Sequence, residues 1–599
     1  MRILYIKQLK IVIKKNGVLS VMFLLFLTKI LGFFKLRIFA QLFGASHELD
    51  IFWAAFTIPD IIFMVLVAGS INAAIIPILT DKLYDKGKRS LNKLFRQLTT
   101  VFFLLCTILI VVTLIFSNGI TNWIINNEYA HRVLNISYKI GGGDYELFLN
   151  LFRIGLLSPL FLSLSAFVTA YLQVRKQFFI TSLAPLFYNV AMMFGTYILV
   201  KQFNLGVMAI GISAVVGSII HLGVQLPSLI KYYKEANGIG IKLKEIVKNS
   251  DIWQAFSLAF PRMLGVLGEQ LNTVVNTFIS FTLASGALSA YRFAYSLHLF
   301  PVNIVGSAVA QVALPDLAQY CCKKEDDNFK RVLNESIQLS LYLVLPMVAV
   351  FLVLRLPIVR LTYGTGAFDW QDTLLTSWSL ALLSVSILGQ TLVQILLRAF
   401  YALKNTWKPL IAILSGILIN LLGAYFLTNF FSHYYDWRPI VEQIWIQVSQ
   451  ANGQGILPVI KSFIKDTSEW MTTRGGSSLG VGGLALSLSI SYLIQTIVAT
   501  LMLNKLRKVF SWEETIAPIL SKAVNTLIMI LGMYFVFRLF DFQLDTTRTI
   551  QVIILTIVTT LYGGISYFIG SKIFSPKEYQ MALKTVQKIL GRFSLKQKE

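Results

Sequence analysis

The chain has 599 residues, 56% of them hydrophobic and only 14% charged, with a mean hydropathy of +0.68; soluble domains carry about 25% charged residues. This composition reads as an all-α polytopic membrane protein and not as a soluble enzyme. The net charge of +24 would point to nucleic acid in a soluble protein; here it has to be read against topology, and no nucleic-acid partner is expected.

Residues 1–17 carry Arg2, Lys7, Lys10, Lys14 and Lys15 among Ile and Leu, the pattern of a basic interfacial helix rather than of a cleaved signal. Apolar runs then recur at about 18–43, 50–79, 95–120, 148–172, 178–201, 206–231, 252–284, 288–316, 332–356, 371–402, 407–428, 479–504, 515–540 and 550–574, which gives about fourteen spans. The first two are hinged at Gly44 to Asp50 and contain Lys29, Lys35, Arg37, Asp50 and Asp60. Charge at mid-membrane costs roughly 2.5 to 3.5 kcal/mol when it faces lipid, so such groups normally face a bundle interior or a watery cavity. The alternative is that Lys35 and Arg37 snorkel to an interface.

Basic residues alternate with the spans. One side receives the N-terminus, the loop with Lys82, Lys86, Lys88, Arg89, Lys93 and Arg96, and later Lys323, Lys324, Lys330 and Arg331, then Lys505, Arg507 and Lys508, and the basic tail. The opposite turns, Gly44 to Leu49 and Ser285 to Ala287, hold no Lys or Arg. By the positive-inside rule both termini are cytoplasmic.

An internal repeat pairs Ala170 to Phe178 and Asn189 with Ala399 to Trp407 and Asn420, and Pro59 with Pro301. The expected organisation is a six-helix bundle over 18–231, a cytoplasmic linker over 232–250 and a second six-helix bundle over 251–506 with an outside loop at 429–478. Two further spans over 507–575 and a basic amphipathic tail over 576–599 complete it. Repeats of this kind build transporters whose substrate site lies at the repeat interface. The loop at 429–478 is read as an insertion rather than a small cap. The tail, with Lys584, Lys588 and Arg592 at helical spacing, suits either anionic lipid or packing on the protein's own loops.

Three blocks in one order carry a resemblance: Leu31-Gly32-Phe33 with Lys35; Phe43-Gly44-Ala45, Asp50, Phe52, Ala55, Phe56 and Pro59; and Gly69-Ser70, Ala74 and Pro77-Ile78-Leu79. Leu264-Gly265, Gln270, Asn276, Ala284-Ser285-Gly286, Phe300-Pro301 and Arg398-Ala399-Phe400-Tyr401-Ala402 continue it. The pattern resembles the MurJ/MviN family of lipid II flippases, within the multidrug/oligosaccharidyl-lipid/polysaccharide exporter superfamily. The resemblance implies a bacterial cytoplasmic-membrane protein of peptidoglycan biosynthesis, in which cationic cavity residues hold the pyrophosphate and sugar headgroup of a polyprenyl-linked substrate during alternating access. The candidate headgroup-cavity residues are Lys29, Lys35, Arg37, Asp50, Arg292 and Ser296. Lys29 and Lys35 stand where the family carries basic residues of helix one, Phe63 replaces a basic position, and Tyr295-Ser296 replaces an Asp-Arg pair. Lysine keeps the charge but loses the bidentate guanidinium fork. Arg292, one turn before Ser296, is the candidate replacement; the alternative is that it snorkels to the outer headgroups near the Gly286 turn.

Glu269, with Gln270 and Asn272, and Asn420 in the repeat are candidates for coupling sodium, a proton or the membrane potential, because a carboxylate inside a helix bundle must be paired or protonated. The alternative is a structural pair of Glu269 with Arg262. Gly32, Pro59, Gly69 and Pro301 are candidate hinges. The scattered histidines and the three cysteines offer neither metal spacing nor a disulfide framework, and no glycine-rich nucleotide loop or catalytic triad is present. No cofactor and no enzymatic activity are expected, with a monomer, anionic lipids and cell-wall synthases as candidate associations. The competing functions are export of another polyprenyl-linked polysaccharide, ion-coupled antiport of a small molecule, and a membrane scaffold that no longer transports.

Overall fold

The computed structural model describes residues 2–68, 75–126, 142–234, 249–403, 405, 407–433, 442, 445–446, 449 and 456–584. Its helices, in chain order, are α1 (Arg2–Phe43), α2 (His47–Phe63), α3 (Ile76–Ile115), α4 (Ser117–Asn126), α5 (Gly142–Gly155), α6 (Leu157–Val174), α7 (Phe178–Phe203), α8 (Met208–Gly223), α9 (Leu226–Lys234) and α10 (Ser250–Phe281). They continue with α11 (Ala287–Pro301), α12 (Ser307–Lys323), α13 (Asp326–Val353), α14 (Arg355–Tyr363), α15 (Trp370–Ala402), α16 (Trp407–His433), α17 (Ile456–Thr472), α18 (Gly480–Arg507), α19 (Ala517–Gln543) and α20 (Thr549–Phe574). Among the described residues the secondary structure is helical throughout, as the composition requires.

Among the described residues twelve spans are long and apolar enough to cross a membrane, against about fourteen expected from apolar runs. The two remaining expected runs fall in α1 and α10, long helices of 42 and 32 residues, and in α10 Glu269, Gln270, Asn272 and Asn276 dilute the apolar run.

Chain contacts divide the protein into one unit of Met1–Ser289 with Thr365–Phe368 and another of Ala290–Gly364 with Asp369–Glu599. This boundary differs from the linker at 232–250 chosen from the sequence: α10 packs with α2 and α3 in the first unit. Residues 235–248 of that linker lie outside the described residues.

In the first unit α1 packs along α7, α7 along α8, and α3 along α6. The basic stretch after Leu79, expected as a loop, is helical instead, because α3 runs through it with a break only at Gly87, whose φ is +75°. Lys82 there forms an ion pair with Asp251, and Asn249 donates from Nδ2 to Gln97 Oε1 at 2.8 Å, so the start of α10 is tied to α3.

In the second unit α18 lies against both α15 and α16, and α13 against α19. Small residues allow the close approach of α16 and α18. A Cβ on Gly483 would sit 2.4 Å from the Leu427 backbone, and Ser491 Oγ donates to the Gly416 carbonyl at 2.6 Å. This is how membrane helices associate where no hydrophobic driving force separates them from lipid.

Within the expected loop at 429–478, α17 packs on α16, and Arg474 donates from Nε to Asn429 Oδ1 at 3.3 Å. Burial pushes the Arg474 guanidinium down to about 10, with Tyr425 acting in the opposite sense. Helix resumes over residues 576–584 after α20, while the rest of the amphipathic tail, with Lys588 and Arg592, lies outside the described residues.

Candidate functional site

The turn between α1 and α2 is built by Gly44 at φ +64° and by Ser46, whose hydroxyl accepts from the Leu49 N–H at 3.3 Å to cap α2. An N-cap of this kind satisfies a donor that the helix itself leaves open. Four residues on, Asp50 is buried. Its Oδ2 accepts the Gly286 N–H at 2.8 Å, and its Oδ1 accepts both the N–H and the hydroxyl of Ser289 at 2.7 and 2.6 Å. Gly286 has φ +81°, and a Cβ on it would lie 2.0 Å from the Ala45 carbonyl oxygen. Asp50 therefore serves as a remote cap on the first turn of α11, with its oxygens committed to that turn.

The other cavity candidates on α1 sit differently. Lys29 is exposed, whereas Lys35 and Arg37 are half-buried. The Lys35 ammonium lies 5.9 Å from the centre of the Tyr188 ring on α7, and Asp60 on α2 acts electrostatically on both Lys35 and Tyr188. A cation over an aromatic face, beside a carboxylate, is a partly desolvated cationic site of the kind that receives an anionic group. Tyr188 went unrecognised in the sequence. The only signal was a tyrosine beside Asn189 in an apolar run, and Asn189 itself reaches the Thr28 carbonyl of α1 at 3.3 Å.

On α10, Glu269 is exposed and Gln270 half-buried, while Asn272 and Asn276 are buried. The Arg262 side chain lies outside the described residues, as does Gly69. In the second unit Arg292 is half-buried. Ser296 donates to the Phe293 carbonyl at 2.8 Å, and its oxygen lies 2.7 Å from the Tyr363 hydroxyl, with the Phe293 and Tyr363 rings 4.8 Å apart. Asn420 is fully buried, and Ser487 Oγ lies 2.8 Å from its carbonyl oxygen and 3.3 Å from its Oδ1. Asn420 thus sits in the small-residue seam of α16 and α18.

The hinge candidates Pro59 and Pro301 share a local geometry. Pro59 lies in α2 shortly before a π-helical turn at Met64–Ala68, and Pro301 ends α11 directly before one at Val302–Gly306. Proline removes a helix donor and crowds the preceding turn, and π-turns accommodate such interruptions inside longer helices. At Gly32 a Cβ would meet nothing within 4 Å.

One buried cation was overlooked in the sequence altogether. Lys522 on α19 is 1% exposed, and its ammonium lies 2.7 Å from Gln338 Oε1 on α13 and 2.8 Å from Glu578 Oε1. Its signal was a lone lysine within an apolar run, the same feature that marked Lys29 and Lys35.

Among the described residues no cluster of metal-ligating side chains occurs. The profile of the family described as "Lipid II flippase MurJ" matches residues 39–435. A "Probable lipid II flippase MurJ" from Buchnera aphidicola subsp. Schizaphis graminum is 27% identical over 423 residues, spanning 70% of this chain and 78% of the relative. The "Lipid II flippase MurJ" of Burkholderia cenocepacia is 23% identical over 407 residues, covering 68% and 77%. A solved structure described as "Lipid II flippase MurJ, inward closed conformation" superposes with a TM-score of 0.67 at 22% identity, covering 92% of this chain and 98% of that one. An inward-facing multidrug resistance MATE transporter shares the fold at a TM-score of 0.58 and 12% identity, covering 79% and 93%. With a family match from Phe39 to Asp436's immediate predecessor, Tyr435, and a fold shared over nearly its whole length, the chain belongs to the lipid II flippase MurJ family.

Proposed function

We propose that this protein moves lipid II, a polyprenyl-pyrophosphate-linked sugar, from the inner to the outer leaflet of the bacterial cytoplasmic membrane by alternating access, with both termini cytoplasmic. The observation that carries the reading at the level of residues is the Lys35 ammonium over Tyr188, half-buried in a membrane-embedded unit and influenced by Asp60. A pyrophosphate cannot cross hydrocarbon without partners, and charge-assisted hydrogen bonds from Lys29, Lys35 and Arg37 supply them. Arg292 adds a guanidinium in the second unit, one helical turn from Ser296. Ser296 already bonds Tyr363, so its hydroxyl is held for packing and Arg292 is the stronger headgroup ligand.

Glu269, Gln270 and Asn272 are the proposed coupling groups for sodium or a proton. Asn420, held by Ser487, contributes to helix packing at the same time. The protein works as a monomer in this reading, beside anionic lipids and the synthases that consume its product.

Rescue decides the matter. Expression in cells depleted of their own lipid II flippase should restore growth and the exposure of lipid II on the outer face; growth failure with folded protein in the membrane would overturn the reading. A second substrate, another polyprenyl-linked polysaccharide, is favoured by one observation: Ser296, at the position where the resemblance implies an arginine, is engaged with Tyr363, so the headgroup grip differs from that implied by the family pattern.

A further inference from the structure

At the end of α13 the chain turns at Leu354 into α14, and α14 lies beside α20 and the turn that follows α19. A groove of about 670 Å³ opens between these elements, entirely within the second unit. One end of it carries three guanidinium groups, those of Arg355, Arg360 and Arg538. Arg360 is fixed by donation to the Thr546 carbonyl and, from Nη2, to the Thr547 carbonyl at 2.8 Å. Arg355 donates from Nη1 to the Leu352 carbonyl at 2.9 Å, and Arg538 from Nε to the Tyr534 hydroxyl at 3.2 Å. The one carboxylate in the lining, Asp541, lies 3.9 Å from Arg538 Nη1, too far for a tight pair. A guanidinium has five N–H donors, so each of these arginines keeps donors for a ligand.

Further along α19 from Arg538 the lining is apolar, with Ile530 and Leu531. Ile530 and Arg538 are eight residues apart on α19, about 12 Å along the axis at the helical rise. The groove is therefore cationic at its mouth and apolar at its depth. Trp370, 55% exposed, stands at the mouth, where tryptophan favours the membrane–water interface. In the orientation proposed above, α13 and α19 both end on the outer face, so the mouth lies at the headgroup level of the outer leaflet.

We propose that this groove binds an anionic glycerophospholipid of the outer leaflet, its phosphate held by Arg355 and Arg538 beside the anchored Arg360 and its acyl chain lying along Ile530 and Leu531. The polarity gradient selects a lipid over a soluble anion, and the surplus of positive charge selects an anionic headgroup over a zwitterionic one. Planar guanidinium groups match the phosphate oxygens.

The test is native mass spectrometry of the full-length protein released from micelles containing phosphatidylglycerol or phosphatidylcholine. The native protein should retain phosphatidylglycerol preferentially, and R355Q/R538Q, which leaves the Arg360 anchor intact, should lose that retention by about tenfold or more while unfolding at the native temperature. A further variant, L531W, should weaken retention by filling the apolar end with all three arginines kept. Equal retention of the two lipids, native retention in R355Q/R538Q, or displacement by millimolar inorganic phosphate alone would each overturn the proposal, the last by making it a simple anion site. Displacement by a polyprenyl pyrophosphate at equimolar amounts would overturn it too, by assigning the groove to the transported substrate. Retention is read without reference to sidedness, so a reversed topology would show separately in cysteine labelling.

Discussion

Asp50 Oδ1 accepts two hydrogen bonds from Ser289, one from the N–H and one from the hydroxyl, across 239 residues of sequence. The carboxylate is buried, so truncation would strand the N–H groups of Gly286 and Ser289 away from water, at about 1–3 kcal/mol each. Asp50→Ala is expected to lower the unfolding temperature in detergent and the amount of folded protein, and transport should fall in proportion to that amount. Normal folding with transport abolished would instead make Asp50 a headgroup ligand.

Lys35→Ala should behave in the opposite way. Loss of a charge-assisted contact of roughly 1.5 to 3 kcal/mol with the headgroup should reduce lipid II exposure by about tenfold or more, with folded protein unchanged, and Lys29→Ala should act in the same direction. Native transport in both variants would show the two lysines to be interfacial anchors.

Lys522→Met should be destabilising by roughly 3 kcal/mol, because removing one partner of a buried ion pair leaves the other charge uncompensated. Pairing it with Glu578→Gln should recover much of the loss. A double-mutant cycle followed by thermal unfolding measures the coupling, and a coupling near zero would mean that Glu578 is fully served by water.

Gly286→Ala combines a left-handed φ of +81° with a Cβ 2.0 Å from the Ala45 carbonyl oxygen. Strain from the conformation alone is about 1–2 kcal/mol, and the overlap adds to it, so the variant should fail to accumulate in membranes. Gly366→Ala, at φ +63° with a Cβ 2.3 Å from the Gln41 carbonyl oxygen, should fail in the same way. Immunoblots of membrane fractions report both.

Single cysteines at Ser46 and Ser468 should react with an impermeant thiol reagent from outside, and those at Ser90 and Ser594 only after permeabilisation. One reversal among the four breaks the proposed topology.

The helical spans were legible because lipid imposes a continuous apolar run on each one, and Lys35 was legible because charge in such a run is costly. The role of Asp50 was not, since its partners lie 236 and 239 residues away and no local pattern encodes a cap at that distance. The helix through Lys82 and Lys93 was missed because its charges read as a loop, although lysine is a good helix former. Tyr188 and Lys522 each lay in plain sight within apolar runs. What gives them meaning is the neighbour on another helix, Lys35 for one and Glu578 for the other, and apolar periodicity does not specify which helices become neighbours.

The π-turns at Met64–Ala68 and Val302–Gly306 bear on how each unit deforms. A π-turn widens the helical ring by one residue and so breaks the regular i→i−4 ladder. Twist applied to α2 or to the end of α11 therefore concentrates there, where rotation disrupts the fewest further bonds. The expected consequence is that each helix acts as two stiff lengths joined by a torsional coupling, so that side chains beyond the coupling would change azimuth while those before it, Asp50 among them, would keep their place.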